Sequence, residues 1–156
     1  MGVDLGERRI GIAVSDSLGV LAFPRTTVVR GGDPAQDRQV IVNVARESEV
    51  ACVVVGLPVH LDGREGPGAR AARNEAAALA ALLGPEGILV ETFDERLTTV
   101  SAERALRTAG RKGHARRRVV DQAAAAVLLQ AWLDTRGPDV SNRLDRPAAG
   151  PGPDGE

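Results

Sequence analysis

The stretch that decides the fold is the first sixteen residues, Met1-Gly2-Val3-Asp4-Leu5-Gly6-Glu7-Arg8-Arg9-Ile10-Gly11-Ile12-Ala13-Val14-Ser15-Asp16. Gly2 to Leu5 reads as a short strand and Arg9 to Ser15 as a second. The turn at Gly6 is tight enough to make them a hairpin. Asp4 sits between apolar Val3 and Leu5. An acid inside a strand that must be buried is costly unless something pairs with it. A divalent cation is one such partner, so a metal-dependent site is expected at the very start of the fold.

Working outward, Val20 to Arg30 reads as a third strand, with Thr26-Thr27-Val28-Val29 at its heart. Asp33-Pro34-Ala35-Gln36 is a helix start: Asp33 caps, Pro34 suits the first helical position and Gln36 can reach back. The helix carries Val40, Ile41, Val44 and Ala45 on one face. Val50 to Gly56 is a continuous apolar run, as in a central strand covered on both faces. Leu57 to Gly68, with Pro58, Gly63, Gly66 and Pro67, is expected to be a loop. Arg70 to Leu83 is an alanine-rich helix that stops at Gly84-Pro85. Ile88 to Phe93 is a strand delivering Asp94-Glu95 at its end. Thr98 or Thr99 caps a helix reaching Ala109, Gly110 to Gly113 interrupts, and a last helix runs from about Arg118 to Thr135. Ala123 to Ala126 lets that helix approach the sheet closely, and Trp132 reads as a packing residue.

A hairpin followed by strand–helix crossovers means a mixed sheet with helices on its faces. Eight of the last twenty residues are Gly or Pro, which reads as a disordered tail. Residues 1–136 are therefore expected to form one domain and 137–156 the tail.

Hydrophobic residues at 43% and charged residues at 26% are those of a globular domain. No apolar run is long enough to span a bilayer, and the N-terminus lacks a signal-peptide pattern. Cys52 is the single cysteine, which excludes an internal disulfide and a Cys-based zinc site and suits a reducing cytoplasm. In Ala51-Cys52-Val53-Val54-Val55 it reads as apolar filler. Aromatic residues are 2%, so a surface that stacks bases on aromatic rings is not expected.

The net charge of −1 hides a basic segment. Between Glu103 and Asp121 there is no acid, while Arg104, Arg107, Arg111, Lys112, Arg116, Arg117 and Arg118 fall there together with His114. Most such runs are solvated faces, and the place of this one just before a candidate catalytic acid puts a phosphate-binding surface on an equal footing with that reading.

Asp4, the Asp94-Glu95 pair and Asp121 each have an innocent explanation. Asp121 could complement a helix dipole, and Asp94-Glu95 could be a strand-end turn. Jointly they say more. If the strands bearing Asp4 and Glu95 are neighbours, both acids emerge in one crevice, and Asp121 can reach it from the covering helix. Three converging carboxylates would raise one another's pKa values, which magnesium or manganese resolves with hard oxygen ligands. Two such ions about 4 Å apart can activate a water and stabilise the leaving oxygen of a phosphodiester. The only histidines are His60 and His114, so a His-based zinc site is not expected.

Four stretches in this order resemble the YqgF family, also called RuvX, a branch of the RNase H-like nucleases. They are Gly2-Val3-Asp4-Leu5-Gly6 with Arg9 to Ala13 and Ser15-Asp16; Val55-Gly56-Leu57-Pro58 with Gly63; Asp94 to Thr99 with Ala102; and Asp121 with Ala123 to Ala125 and Leu128-Leu129-Gln130. The resemblance covers about residues 2 to 134. It implies a five-stranded mixed sheet of order 3-2-1-4-5, with strand 2 antiparallel and helices around it. It implies Asp4, Glu95 and Asp121 as catalytic, metal-binding acids. Alternation along the strand lets only one of Asp94 and Glu95 point inward, and Glu95 is the choice. Members of that family usually begin several residues earlier than Met1; either the start is misplaced or, if the shortening is real, Asp4 is expected on a frayed edge.

Around these acids, Arg8 and Arg96 are placed to hold phosphates, with a local ion pair the alternative for Arg96. Thr98 serves as helix cap and phosphate donor. The loop from Pro58 to Gly68 carries Arg64 and overhangs the strand ends. The resemblance implies processing of the 5′ end of pre-16S ribosomal RNA with Mg²⁺ or Mn²⁺. The alternatives are resolution of four-way DNA junctions, which needs a two-fold dimer, or a non-catalytic ribosome-assembly factor. As a nuclease the chain is expected to be cytoplasmic, and a monomer or weak homodimer. The Asp-x-Gly hairpin also occurs in sugar-kinase and actin-like ATPases, but those need two such domains and this chain has length for one.

Overall fold

The computed structural model describes residues 1–98 and 114–136, the side chains of 114–122 excepted. The expected helix to Ala109, the interruption at Gly110 to Gly113 and the tail lie outside the described residues.

The strands are β1 (Gly2–Leu5), β2 (Arg9–Ser15), β3 (Ala22–Val29), β4 (Cys52–Leu57) and β5 (Leu89–Asp94). The helices are α1 (Pro34–Glu47), α2 (Pro67–Leu83) and α3 (His114–Arg136). The sheet order is β3-β2-β1-β4-β5. β1 pairs antiparallel with β2, β2 antiparallel with β3, β1 parallel with β4, and β4 parallel with β5. This is the expected mixed sheet. β1 is its central strand, and Asp4 lies opposite Gly11 of β2. β1 lies between β2 and β4 and is not an edge strand, with Gly2 and Val3 paired on both sides and Asp4 paired to β2.

Side-chain alternation assigns the two faces. Val3, Ile10, Ile12, Val53 and Val55 pack with Ile41, Val42 and Leu79 of α1 and α2. Ala13, Cys52 and Val54 pack with Ala125, Leu129, Trp132 and Leu133 of α3. Cys52 and Trp132 are thus packing residues. α3 can come this close because Gly2 has no side chain: a Cβ there would lie 2.8 Å from Leu129 Cβ and 2.9 Å from the Ala125 carbonyl oxygen.

Asp33 caps α1 by accepting from the Ala35 N–H at 2.9 Å. The buried face of α1 is Asp37, Ile41, Val42 and Ala45. Val40, expected inside, is 39% exposed, and Val42 takes its place. The helix is rotated so that Asp37 turns inward and its carboxylate accepts from the Gly31 N–H at 3.1 Å. α2 starts earlier than expected, because Pro67 occupies its first turn and needs no N–H donor there. α3 also starts earlier, at His114, since Ala115 and the arginines beyond it are good helix formers.

Two groups of polar contacts fix the far half of α3. The Gln130 side chain accepts from the Ala22 N–H at 2.9 Å and donates to the Val20 carbonyl at 2.9 Å. Trp132 Nε1 donates to Glu91 at 3.1 Å, and Arg136 pairs with the same carboxylate while lying over the Trp132 ring.

Candidate active site

The strands β1, β4 and β5 run parallel and present their C-terminal ends at one edge of the sheet. Val3 is level with Val55, so Asp4 is level with Gly56, and Gly56 is in turn level with Phe93. Asp4, Gly56 and Phe93 thus form one row on the α3 face. Glu95 follows β5 in a short 3-10 turn spanning Glu95–Thr98. Its side chain reaches back across the row, over Gly56, and hydrogen-bonds to Asp4.

The electrostatics of the pair follow from that contact. The Glu95 carboxyl is pushed up to about 7, first by burial, then by the Asp4 charge and the hydrogen bond to Asp4, with a smaller push from Asp94. Asp94 behaves in the opposite way. It takes Arg96 in a fork, Nε at 2.9 Å and Nη2 at 2.6 Å, and the guanidinium holds its carboxyl below the usual range. Neighbours in sequence, the two acids do different things: Glu95 turns in toward Asp4 and Asp94 turns out to Arg96. The local ion pair weighed for Arg96 is therefore formed.

Two carboxylates pressed together, one of them holding its proton to near neutrality, are a hard-oxygen donor set that a divalent cation would relieve. The chemistry of these donors fits such a cation. Among the described residues no third His, Cys, Asp or Glu joins them. Asp121 belongs to α3, but its side chain lies outside the described residues. It stands two turns into the helix, past the first turn where a carboxylate answers the helix dipole.

The expected phosphate ligands distribute as follows. Arg8 is exposed in the β1–β2 turn, at the Asp4 end of the sheet. Arg64 lies in the loop after β4, where it pairs with Asp62 and stays 84% exposed. That loop folds back through a Val59–Glu65 bridge, and Gly63 at its tip sits close to Arg96 Nη1. The Thr98 hydroxyl donates to the Glu95 carbonyl at 2.7 Å, closing the 3-10 turn. Arg107, Arg111 and Lys112 lie outside the described residues, as do the side chains of Arg116, Arg117 and Arg118.

Sequence reasoning gave Gly56 no individual role. The available signal was its position: it breaks a run of three valines in a central strand, where a glycine marks a close approach.

The chain matches, over residues 1–135, the family model described as "RuvX: Holliday junction resolvase". It is 51% identical over 138 residues to a protein of Anaeromyxobacter dehalogenans named "Putative pre-16S rRNA nuclease", covering 88% of this chain and 98% of that one. A Myxococcus xanthus protein of the same name is 49% identical over 146 residues, covering 93% and 94%. Among solved structures, Thermus thermophilus RuvC in complex with Holliday junction substrate aligns at a TM-score of 0.55 and 14% identity, over 87% of this chain and 94% of that one. The yeast mitochondrial Holliday junction resolvase Ydc2 aligns at 0.51 and 13% identity, over 92% and 81%. At these identities the solved structures speak to the fold, which is RNase H-like. With the family match spanning nearly the whole chain and relatives half identical to it, the chain belongs to the RuvX (YqgF) family.

Proposed function

We propose that this chain is a divalent-metal-dependent nuclease that processes the 5′ end of pre-16S ribosomal RNA. The observation that carries the reading is the contact of Asp4 with Glu95 across β4. The substrate follows from the names of the relatives, which are half identical over nearly their full length. Asp4, Glu95 and Asp121 would hold Mg²⁺ or Mn²⁺, two ions in all. Bound there, the ions would activate the attacking water and stabilise the leaving oxygen of a phosphodiester.

The chain's own residues prepare this. The rigid central strand fixes Asp4, and the Thr98-closed turn fixes the backbone that Glu95 hangs from. Arg8, Arg64 and Arg96 stand at the same end of the sheet, where a phosphate backbone would pass. The basic segment with Arg107, Arg111, Lys112, Arg116, Arg117 and Arg118 would extend that track. Residues 1–136 carry the activity, in keeping with a family match that ends at residue 135. A cytoplasmic setting suits this substrate and the single free Cys52. Among the described residues no helix is long and apolar enough to cross a membrane.

The family model's own description favours a second reading, cleavage of four-way DNA junctions. Both are tested together by offering pre-16S RNA and a four-way junction with Mg²⁺ to the parent chain, Asp4→Asn and Asp121→Asn. Cleavage of the RNA that both substitutions abolish, with binding retained, is the expected result. Cutting confined to the junction selects the second reading. Equal cutting by all three proteins rejects the metal mechanism, and no cutting by any of them favours an assembly factor.

A further inference from the structure

The bay beside Asp4 exists because a side chain is missing. Gly56 lies level with Asp4 on the neighbouring strand, and on the other side Asp4 is paired with Gly11. Asp4 is thus flanked in its row by two residues without side chains. A Cβ built on Gly56 would lie 2.5 Å from Glu95 Oε1, 3.3 Å from Glu95 Cδ and 3.2 Å from Leu128 Cδ2. The space that any other residue would fill is the space in which the Glu95 carboxylate lies. Glu95 comes from the end of β5, two strands from Asp4, and its approach to Asp4 crosses β4 at this point.

We propose that Gly56 is a positioning residue that sets the spacing of the Asp4 and Glu95 carboxylates and, through it, the affinity of the pair for a divalent cation. The inference rests on the metal reading of the site given above. The identity of the obstructed atom makes it specific. A methyl group at position 56 meets the far end of a flexible side chain, not backbone, so the carboxylate moves and the fold stays. Leu128 needs to give only a few tenths of an ångström. Gly56→Ala therefore separates the two acids without removing either. Shortening Glu95 by one methylene withdraws its carboxylate from above Gly56 and should make the extra methyl group harmless.

The test uses the full chain and Mn²⁺ as the probe, with free Mn²⁺ followed by electron paramagnetic resonance and folding by thermal melts. Gly56→Ala is expected to melt within a few degrees of the parent and to bind Mn²⁺ about tenfold more weakly, the loss typical of a disturbed ligand support. In a Glu95→Asp background the same substitution should change Mn²⁺ affinity by less than about twofold, the mark of coupling through that carboxylate. Mn²⁺ affinity unchanged in a folded Gly56→Ala chain overturns the proposal. So does failure of Gly56→Ala to fold, because the obstruction would then have fallen on the scaffold. An equal loss in both backgrounds also overturns it. A parent chain that binds no Mn²⁺ defeats the metal reading itself and this inference with it, and is told apart by needing no variant.

Discussion

The two faces of the sheet are built from different material. Toward α1 and α2 stand Val3, Ile10, Ile12, Val53 and Val55, each at most 1% exposed. Toward α3, the three inner strands present Gly2, Gly11, Ala13 and Gly56, with Cys52 and Val54 beside them, Phe93 on the edge strand and Asp4 in their midst. Burying a branched aliphatic side chain contributes roughly 1.5–3 kcal/mol, and a glycine contributes nothing comparable. The first face therefore holds the molecule together. The second gives up packing for room, and the room is taken by charge. Polar clamps make up part of the difference there: Gln130 to the β2–β3 connection, and Trp132 with Arg136 to Glu91.

That division is most sharply tested at the acids. Asp4→Asn should lower cleavage by about a thousandfold, the upper range for losing a group that steadies transition-state charge, while the melting temperature holds or rises. Single-turnover cleavage beside thermal melts checks this. A comparable fall in stability would mean that the α3 face also depends on its acids for folding. On the opposite face, Leu79→Ala should cost about 3 kcal/mol by denaturant titration, since Leu79 is fully buried and its neighbours collapse only partly around the gap. Its Mn²⁺ affinity should be unchanged. A large loss of metal binding in this variant would show the faces to be coupled.

A third effect concerns pH. The Glu95 carboxyl titrates near 7 in the folded chain against an ordinary value of 4.5. Between those values the folded state binds the proton more tightly than the unfolded state. Metal-free stability must therefore fall as pH rises from about 4.5 to about 7, by at most about 1.4 kcal/mol per pH unit. Melts in a chelator should show this slope in the parent chain and lose it in Glu95→Gln. An identical slope in both would place its source elsewhere. The smallest effect belongs to the rim: Arg8→Ala should weaken RNA binding severalfold, evenly across sequences, and reduce the salt slope by about one. An unchanged slope would mean that Arg8 meets no phosphate.

The difference between the faces also explains what could be read in advance. Strands and crossovers follow from alternation, turn residues and the uninterrupted valines, while the sheet order follows only from the family resemblance. Asp4 stands out because it is charged among apolar neighbours; alternation lets only one of Asp94 and Glu95 point inward, and the choice of Glu95 rests on the family resemblance, not on parity. What escaped depended on register or rotation. Nothing local says that Gly56 is level with Asp4; that needs the β1–β4 pairing, fifty residues apart. Val40 and Val42 both suit a helix interior, and only the inward turn of Asp37 decides between them. Pro67, grouped with loop residues, was in fact the first-turn proline of α2. The partner of Arg96 was left open between phosphate and acid, and the Asp94 fork shows one of these contacts formed.

One consequence of the sheet order reaches to the ribosome that makes this chain. Asp4 emerges among the first residues, yet Glu95 can face it only in a sheet that holds β4 beside β1 and β5 beside β4. No nascent fragment shorter than that can own both carboxylates. On the reading above, a growing polypeptide synthesised amid RNA has no capacity to cut when its last strand is made, because Asp121 follows only in the closing helix.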